Sequence, residues 1–171
     1  MIFENDFDKV IQCFNKTNVD YMIVGGYAVN FHGYSRNTSD LDIWINPVES
    51  NKQKICDALL LLEYLEKDAE KLLLFDFTKP FLFRISGLPD DVEVFNFISG
   101  VNYEDANKNK ILFYMDNKTP VYFISIKDLI VNKMLSGRNI DKVDVDELQK
   151  INIHSKDKSI VDTIKKLFGI K

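Results

Sequence analysis

The sequence predicts an α+β protein, a mixed β-sheet flanked by helices and continued by a C-terminal helical tail. Short apolar runs such as Tyr21-Met22-Ile23-Val24 and Asp40 to Ile45 alternate with longer stretches whose apolar residues recur at helical spacing. From Ser125 onward the strand-like runs stop and helical patterns take over. The chain can also bury a substantial core, since 46% of its 171 residues are hydrophobic and thirteen are phenylalanine.

Each element has its own signal. Residues 5–16 place Phe7, Val10, Ile11 and Phe14 on one helical face, with Asn5 or Asp6 able to cap it. Thr17-Asn18 breaks this helix, Tyr21 to Val24 reads as a buried strand, and Gly25-Gly26 turns the chain into a short helix ending at Phe31. A polar loop, 32–39, leads into the strand Asp40 to Ile45, which Asn46-Pro47 ends. Glu49 to Leu65 reads as a long amphipathic helix. Leu72 to Phe75 and Phe81 to Ile85 read as strands around a turn at Thr78-Lys79-Pro80, and Gly87 to Asp90 is another turn before the strand Asp91 to Ile98. A short helix fits 102–110, and a hairpin fits Ile111 to Met115 and Val121 to Ile124 around Asp116-Asn117-Lys118. Ser125-Ile126-Lys127-Asp128 resembles a capping box that opens a helix ending before Gly137. Two further helices are expected over 140–151 and 157–168. The expected division is an α/β core over 1–124 and a helical region over 125–171 packed on it.

The formal charge of −4 argues against a broad basic footprint for nucleic acid, though a local basic patch remains compatible with it. Cys13 and Cys56 are far apart and in no C-x-x-C spacing, which fits buried, reduced thiols rather than a disulfide framework or a zinc site. No basic n-region with a long apolar run opens the chain, and no stretch reaches membrane-spanning length. A cytoplasmic protein without a membrane partner is the expectation.

The chemistry concentrates in residues 24–45. Alternate strand residues share a face, so Asp40 and Asp42 project together while Leu41, Ile43 and Ile45 face the core. Paired carboxylates repel unless a cation neutralises them, and oxygen ligands suit Mg²⁺. Glu93 stands between Val92 and Val94 in a later strand and supplies a third acid, with Asp91 as a reserve. A solvated strand edge would explain each acid separately. Gly25-Gly26 follows a strand and opens a helix, where free N–H groups favour phosphate; a tight turn explains it equally well. No Gly-Lys-Ser/Thr follows, so this is not a P-loop. His32 reads as a packed or capping histidine, His154 carries no signal, and Trp44 reads as core despite sharing the Asp-x-Asp face.

These residues resemble the nucleotidyltransferase superfamily with the polymerase beta-like fold. The resemblance lies in the apolar strand, Gly25-Gly26, thirteen intervening residues, Asp40-Leu41-Asp42 and Glu93 as the later acid. The wording from Val24 to Asp42, with the runs Ser125 to Lys133 and Gly137 to Asp144, is similar to small prokaryotic members related to abortive-infection and toxin–antitoxin transferases. Two positions depart from the common pattern: Gly26 stands where many relatives carry serine, and Glu93 where many carry aspartate. The resemblance implies transfer of a nucleoside monophosphate from an NTP to a hydroxyl on RNA, a protein or a small molecule. It implies Mg²⁺ (or Mn²⁺) on Asp40, Asp42 and Glu93, a second ion on Asp40 and Asp42 at the triphosphate, and Glu93 as a general base. Gly25, Gly26, Arg36 and Lys133 are the implied nucleotide contacts, and a partner protein is implied by the toxin–antitoxin relatives. A non-catalytic module of this fold is the alternative, and a metal-dependent phosphohydrolase is a third use of the same acids.

Overall fold

The computed structural model describes residues 5–63, 69–85, 91–115 and 118–168, with side chains described between 7 and 154 of those ranges. The turns expected at Gly87 to Asp90 and at Asp116-Asn117, the Asn5/Asp6 cap and the end of the helix expected at Leu65 lie outside the described residues or side chains.

Helix α1 (Asn5–Lys16) buries Phe7, Val10, Ile11 and Phe14 completely, as their spacing predicts. Strand β1 (Tyr21–Ile23) follows and is buried throughout, which marks it as central. Gly25, with φ of +59°, makes the sharp entry into α2 (Gly25–Phe31). Strand β2 (Leu41–Ile45) returns antiparallel to β1, and α3 (Glu49–Leu61) covers the sheet with Ile55, Cys56, Ala58 and Leu59. Strands β3 (Leu82–Ile85) and β4 (Val92–Phe95), helix α4 (Tyr103–Asn109) and the hairpin β5 (Ile111–Met115) and β6 (Thr119–Phe123) complete the core. The sheet runs β3-β4-β2-β1-β6-β5, with β2–β4 and β1–β6 parallel and the other pairs antiparallel. The mixed sheet flanked by helices matches the fold class read from the sequence.

Two expected elements differ. Residues 72–75 do not form a strand: Glu70–Leu74 is a 3₁₀ turn that buries Ala69 and Leu72 and leaves Leu74 85% exposed. The Leu-Leu-Leu run has no alternation, and only every third residue meets the core, so the period of three won over the apolar count. The tail is α5 (Ile126–Ser136) and one continuous helix, α6 (Asn139–Phe168), rather than two after α5. Asn152 and Ser155, the polar residues behind the expected break, cost a helix only tenths of a kcal/mol, and no Gly or Pro accompanies them. The Ser125 cap forms as expected: its Oγ accepts the Asp128 N–H at 3.2 Å and donates to that residue's carboxylate. Gly137, at φ +73°, ends α5 in the left-handed conformation.

Candidate active site

Strand register brings the acids together. In the parallel pair, Asp42 on β2 stands directly opposite Glu93 on β4, so both carboxylates leave the same face of the sheet. Asp40 precedes β2 by one residue and points the same way. One carboxylate oxygen from each of Asp40, Asp42 and Glu93 lies within 4.8 Å of the others, and all three residues are half-buried. Octahedral Mg²⁺ at about 2.1 Å holds its ligand oxygens roughly 3–4 Å apart. The donor set and spacing therefore fit a divalent cation with small side-chain adjustment.

The electrostatics point the same way. Burial, then the charges of Asp40 and Glu93, push the Asp42 carboxyl up to about 6, against weaker opposition from Arg138 and Lys133. Arg84 provides one neutralising group. It faces Glu93 across the antiparallel β3–β4 pair and donates Nε at 2.9 Å and Nη2 at 2.7 Å to Glu93 Oε1. The second Glu93 oxygen receives neither bond. Asp91 is exposed, and its backbone carbonyl accepts the Leu41 N–H.

The glycine pair is fitted to the acids by contact. A Cβ at Gly25 would lie 1.7 Å from Asp42 Oδ2, and one at Gly26 would lie 2.2 Å from Thr38 Oγ1. The Thr38 hydroxyl thus occupies the space beside the second glycine, within 3.4 Å of Asp40 Oδ1. Both glycines are needed for close approach, not only for the turn.

Arg36 and Lys133 meet in a buried ion network. Arg36 donates Nε at 2.8 Å and Nη2 at 3.0 Å to Asp144, and Nη1 at 3.0 Å to the Asn37 carbonyl. Its backbone is bolted to α2, because Asn30 accepts the Arg36 N–H and donates to the Arg36 carbonyl, both at 2.9 Å. Lys133 is 2% exposed, with its ammonium 2.7 Å from Asp141 and 2.8 Å from Asp144. Asp141 also accepts from Ser136 and from Arg138 Nε at 2.6 Å. Burial raises the Asp141 carboxyl, but the bonds from Arg138, Lys133 and Ser136 outweigh it and hold it down to about 2. The network sits behind the carboxylates, so the Lys133 ammonium is turned toward α6 rather than toward open solvent.

A cleft of about 470 Å³ opens beside Asp42 and Glu93. One wall is apolar (Phe81, Leu82, Phe95, Phe97, Ile98) and the other polar (Asn132, Ser136, Arg138). A second, polar recess of about 360 Å³ runs along Arg36 to Asp40. Both histidines and the tryptophan stand outside the chemistry. His32 donates Nε2–H to the Ile124 carbonyl at 2.8 Å and is kept neutral by burial, and Trp44 is buried edge-on against Tyr103. Cys13 and Cys56 are free and buried.

Thr38, Arg84, Arg138, Asp141 and Asp144 were not singled out from the sequence. One signal was available: positions 141, 144, 145 and 148 form a helical stripe that is buried throughout, and its first two members are acids. Acids inside a core stripe demand cations. Arg84 had no comparable signal, because it pairs with Glu93 only through a register that the sequence does not declare.

No family model matches the chain, and no curated protein matches it by sequence. Among solved structures it is similar to the lincomycin-bound lincosamide antibiotic adenylyltransferase LnuA. The TM-score is 0.50 at 16% identity, over 88% of this chain and 98% of that one. No helix of the described residues is long and apolar enough to cross a membrane. The likeness is one of fold: the chain shares its mixed-sheet architecture with that adenylyltransferase.

Proposed function

We propose that the chain is a metal-dependent nucleotidyltransferase that moves a nucleoside monophosphate from an NTP to a hydroxyl acceptor. The observation that carries this reading is the group of three carboxylates, Asp40, Asp42 and Glu93, converging within 4.8 Å, with Asp42 and Glu93 lining a 470 Å³ cleft. When bound there, Mg²⁺ or Mn²⁺ would neutralise triphosphate charge and make the acceptor hydroxyl more acidic. The chain's own residues then position and balance charge. Asp40, Asp42 and the Glu93 oxygen that Arg84 leaves open would hold the cation, while Arg84 fixes Glu93 in one rotamer. The acceptor oxygen bonds to the α-phosphorus, the α–β bridging P–O bond breaks, and pyrophosphate leaves with the electron pair. Glu93 would take the hydroxyl proton as general base and pass it to water. Gly25 and Gly26, whose missing side chains make room for Asp42 and Thr38, would meet the phosphates through backbone N–H groups.

The fold shared with an adenylyltransferase supports nucleotidyl transfer, and that enzyme's bound lincomycin makes small molecules a rational first acceptor panel, alongside RNA ends and protein hydroxyls. A toxin–antitoxin or phage-defence setting, with its partner protein, rests on the wording of residues 24–42 and 125–144 alone. The test is incubation with Mg²⁺ or Mn²⁺ and labelled NTPs. Acceptor labelling with pyrophosphate release that disappears in Asp40→Asn, Asp42→Asn and Glu93→Gln supports transfer. Free phosphate without a labelled acceptor indicates a phosphohydrolase. Nucleotide binding without turnover indicates the non-catalytic module, a reading favoured by the capture of Glu93 Oε1 by Arg84.

A further inference from the structure

The buried network beneath the carboxylates has an uneven charge count. Asp141 and Asp144 are fully buried and supply two negative charges, whereas Lys133, Arg36 and Arg138 supply three positive ones. One positive charge is in surplus, and exposure identifies its owner. The Lys133 side chain is 2% exposed and Arg36 18%, but Arg138 is 69% exposed.

Bonding leads to the same residue. Arg36 spends all three guanidinium nitrogens on Asp144 and the Asn37 carbonyl, and Lys133 is enclosed by two carboxylates. Arg138 spends Nε on Asp141 at 2.6 Å and stretches Nη2 to the other oxygen at 3.4 Å; among the described residues no hydrogen bond engages its Nη1. Asp141, held in turn by Lys133 and Ser136, fixes the near edge of the guanidinium and leaves its far edge in the cleft that contains Asp42 and Glu93. The charges of Asp42 and Asp40 reach Arg138 and raise its guanidinium above the usual range, after the Asp141 bonds that dominate the shift.

We infer that Arg138, oriented by buried Asp141, is the cation that takes the polyphosphate arm of the nucleotide, which therefore lies along the polar wall of the cleft. This rests on the nucleotidyl-transfer reading. A guanidinium whose far edge is open offers paired N–H donors to phosphate oxygens, which suits a polyphosphate better than a buried ammonium. The apolar wall is left to an uncharged part of a ligand.

The probe is Mg²⁺-tripolyphosphate, titrated calorimetrically into the full chain, with Mn²⁺ binding followed separately by electron paramagnetic resonance. Arg138→Gln should weaken tripolyphosphate by about tenfold or more, the loss of one charge-assisted contact. Arg138→Lys should recover part of that loss. Mn²⁺ affinity should stay within about twofold, because the carboxylates are untouched. Tripolyphosphate affinity unchanged in Arg138→Gln overturns the assignment, and so does a parallel loss of Mn²⁺, which would make Arg138 merely structural. A wild-type chain that does not bind tripolyphosphate also overturns it, while nucleotidyl transfer would still stand or fall on pyrophosphate release. Arg138-dependent tripolyphosphate binding without pyrophosphate release from any NTP supports the assignment and sinks the transferase reading instead.

Discussion

Asp144 offers the sharpest test of how the C-terminal helix supports the site. Its carboxylate is fully buried and accepts three charge-assisted bonds, two from Arg36 at 2.8 and 3.0 Å and one from Lys133 at 2.8 Å. Removing one partner from a buried ion pair costs about 3–5 kcal/mol, because the remaining charge is left without compensation. Two features pull Asp144→Ala to the low end of that range. Lys133 keeps Asp141, and Arg36, 18% exposed, can reach water. We expect a loss of ~3 kcal/mol, or roughly 6–12 °C in Tm for a chain of this size. Asp144→Asn keeps the volume and one acceptor, and should lose somewhat less. Urea denaturation of the three proteins measures the effect, and an Arg36→Ala/Asp144→Ala double-mutant cycle isolates the pair, with an expected coupling of about 1–3 kcal/mol. Mn²⁺ affinity should fall together with stability, because Arg36 anchors the loop that delivers Thr38 and Asp40. Loss below about 1 kcal/mol with unchanged Mn²⁺ affinity would refute the reasoning: the network would then be a by-product of helix packing.

Gly25→Ala and Gly137→Ala form a matched pair, since both glycines have positive φ (+59° and +73°), but only Gly25 faces an atom, Asp42 Oδ2, at 1.7 Å. Gly137→Ala should cost about 1–2 kcal/mol of backbone strain and leave Mn²⁺ binding intact, whereas Gly25→Ala should also displace Asp42 and abolish it. Asp42 has a folded pKa near 6, above its ordinary 3.8, so in metal-free protein the folded state holds a proton that the unfolded chain has released. Its contribution is fully present below pH ~4 and is lost as pH rises through about 6, on the order of 3 kcal/mol. In EDTA the wild type should therefore lose stability relative to Asp42→Asn between those values, and parallel denaturation curves would show that Asp42 is ionised throughout. Arg84→Gln releases Glu93, and should lower Mn²⁺ affinity by several-fold if rotamer fixing dominates; a rise would show that Arg84 competes with the cation for Glu93. Thr38→Val should leave stability within about 0.5 kcal/mol, as expected for a half-exposed loop residue, as checked by urea denaturation.

The parts of the fold that the sequence displayed were those governed by local periodicity. The face of Phe7, Val10, Ile11 and Phe14, the turn at Gly25-Gly26, the alternation around Asp42 and the Ser125 cap each follow from rules that act within a few residues. Elements whose state depends on what they pack against were less visible, which is why the leucines at 72–74 took a 3₁₀ turn and the tail ran straight through Asn152 to Ser155. The site divides along the same line. Asp40 and Asp42 are legible because two carboxylates two residues apart on a strand must share a face, and Glu93 because an acid between valines needs a partner. The supporting shell is not legible in this way, because Arg84 reaches Glu93 through strand register and Arg36 reaches Asp144 across 108 positions of sequence. In Lys133 the sequence displays a cation but not its partners, two aspartates on the next helix that hold its ammonium between them.

The span from Arg36 to Asp144 also sets the order in which the protein can become competent. A nascent chain that has emerged as far as β4 carries Asp40, Asp42 and Glu93 and can pair the strands that bear them. It has no anchor yet for the loop in front of Asp40, because Asp144, which holds Arg36, lies downstream. That residue arrives only with the first turns of α6. Until α6 is made, the three carboxylates can share a sheet face without the buried ion network that anchors the loop in front of them.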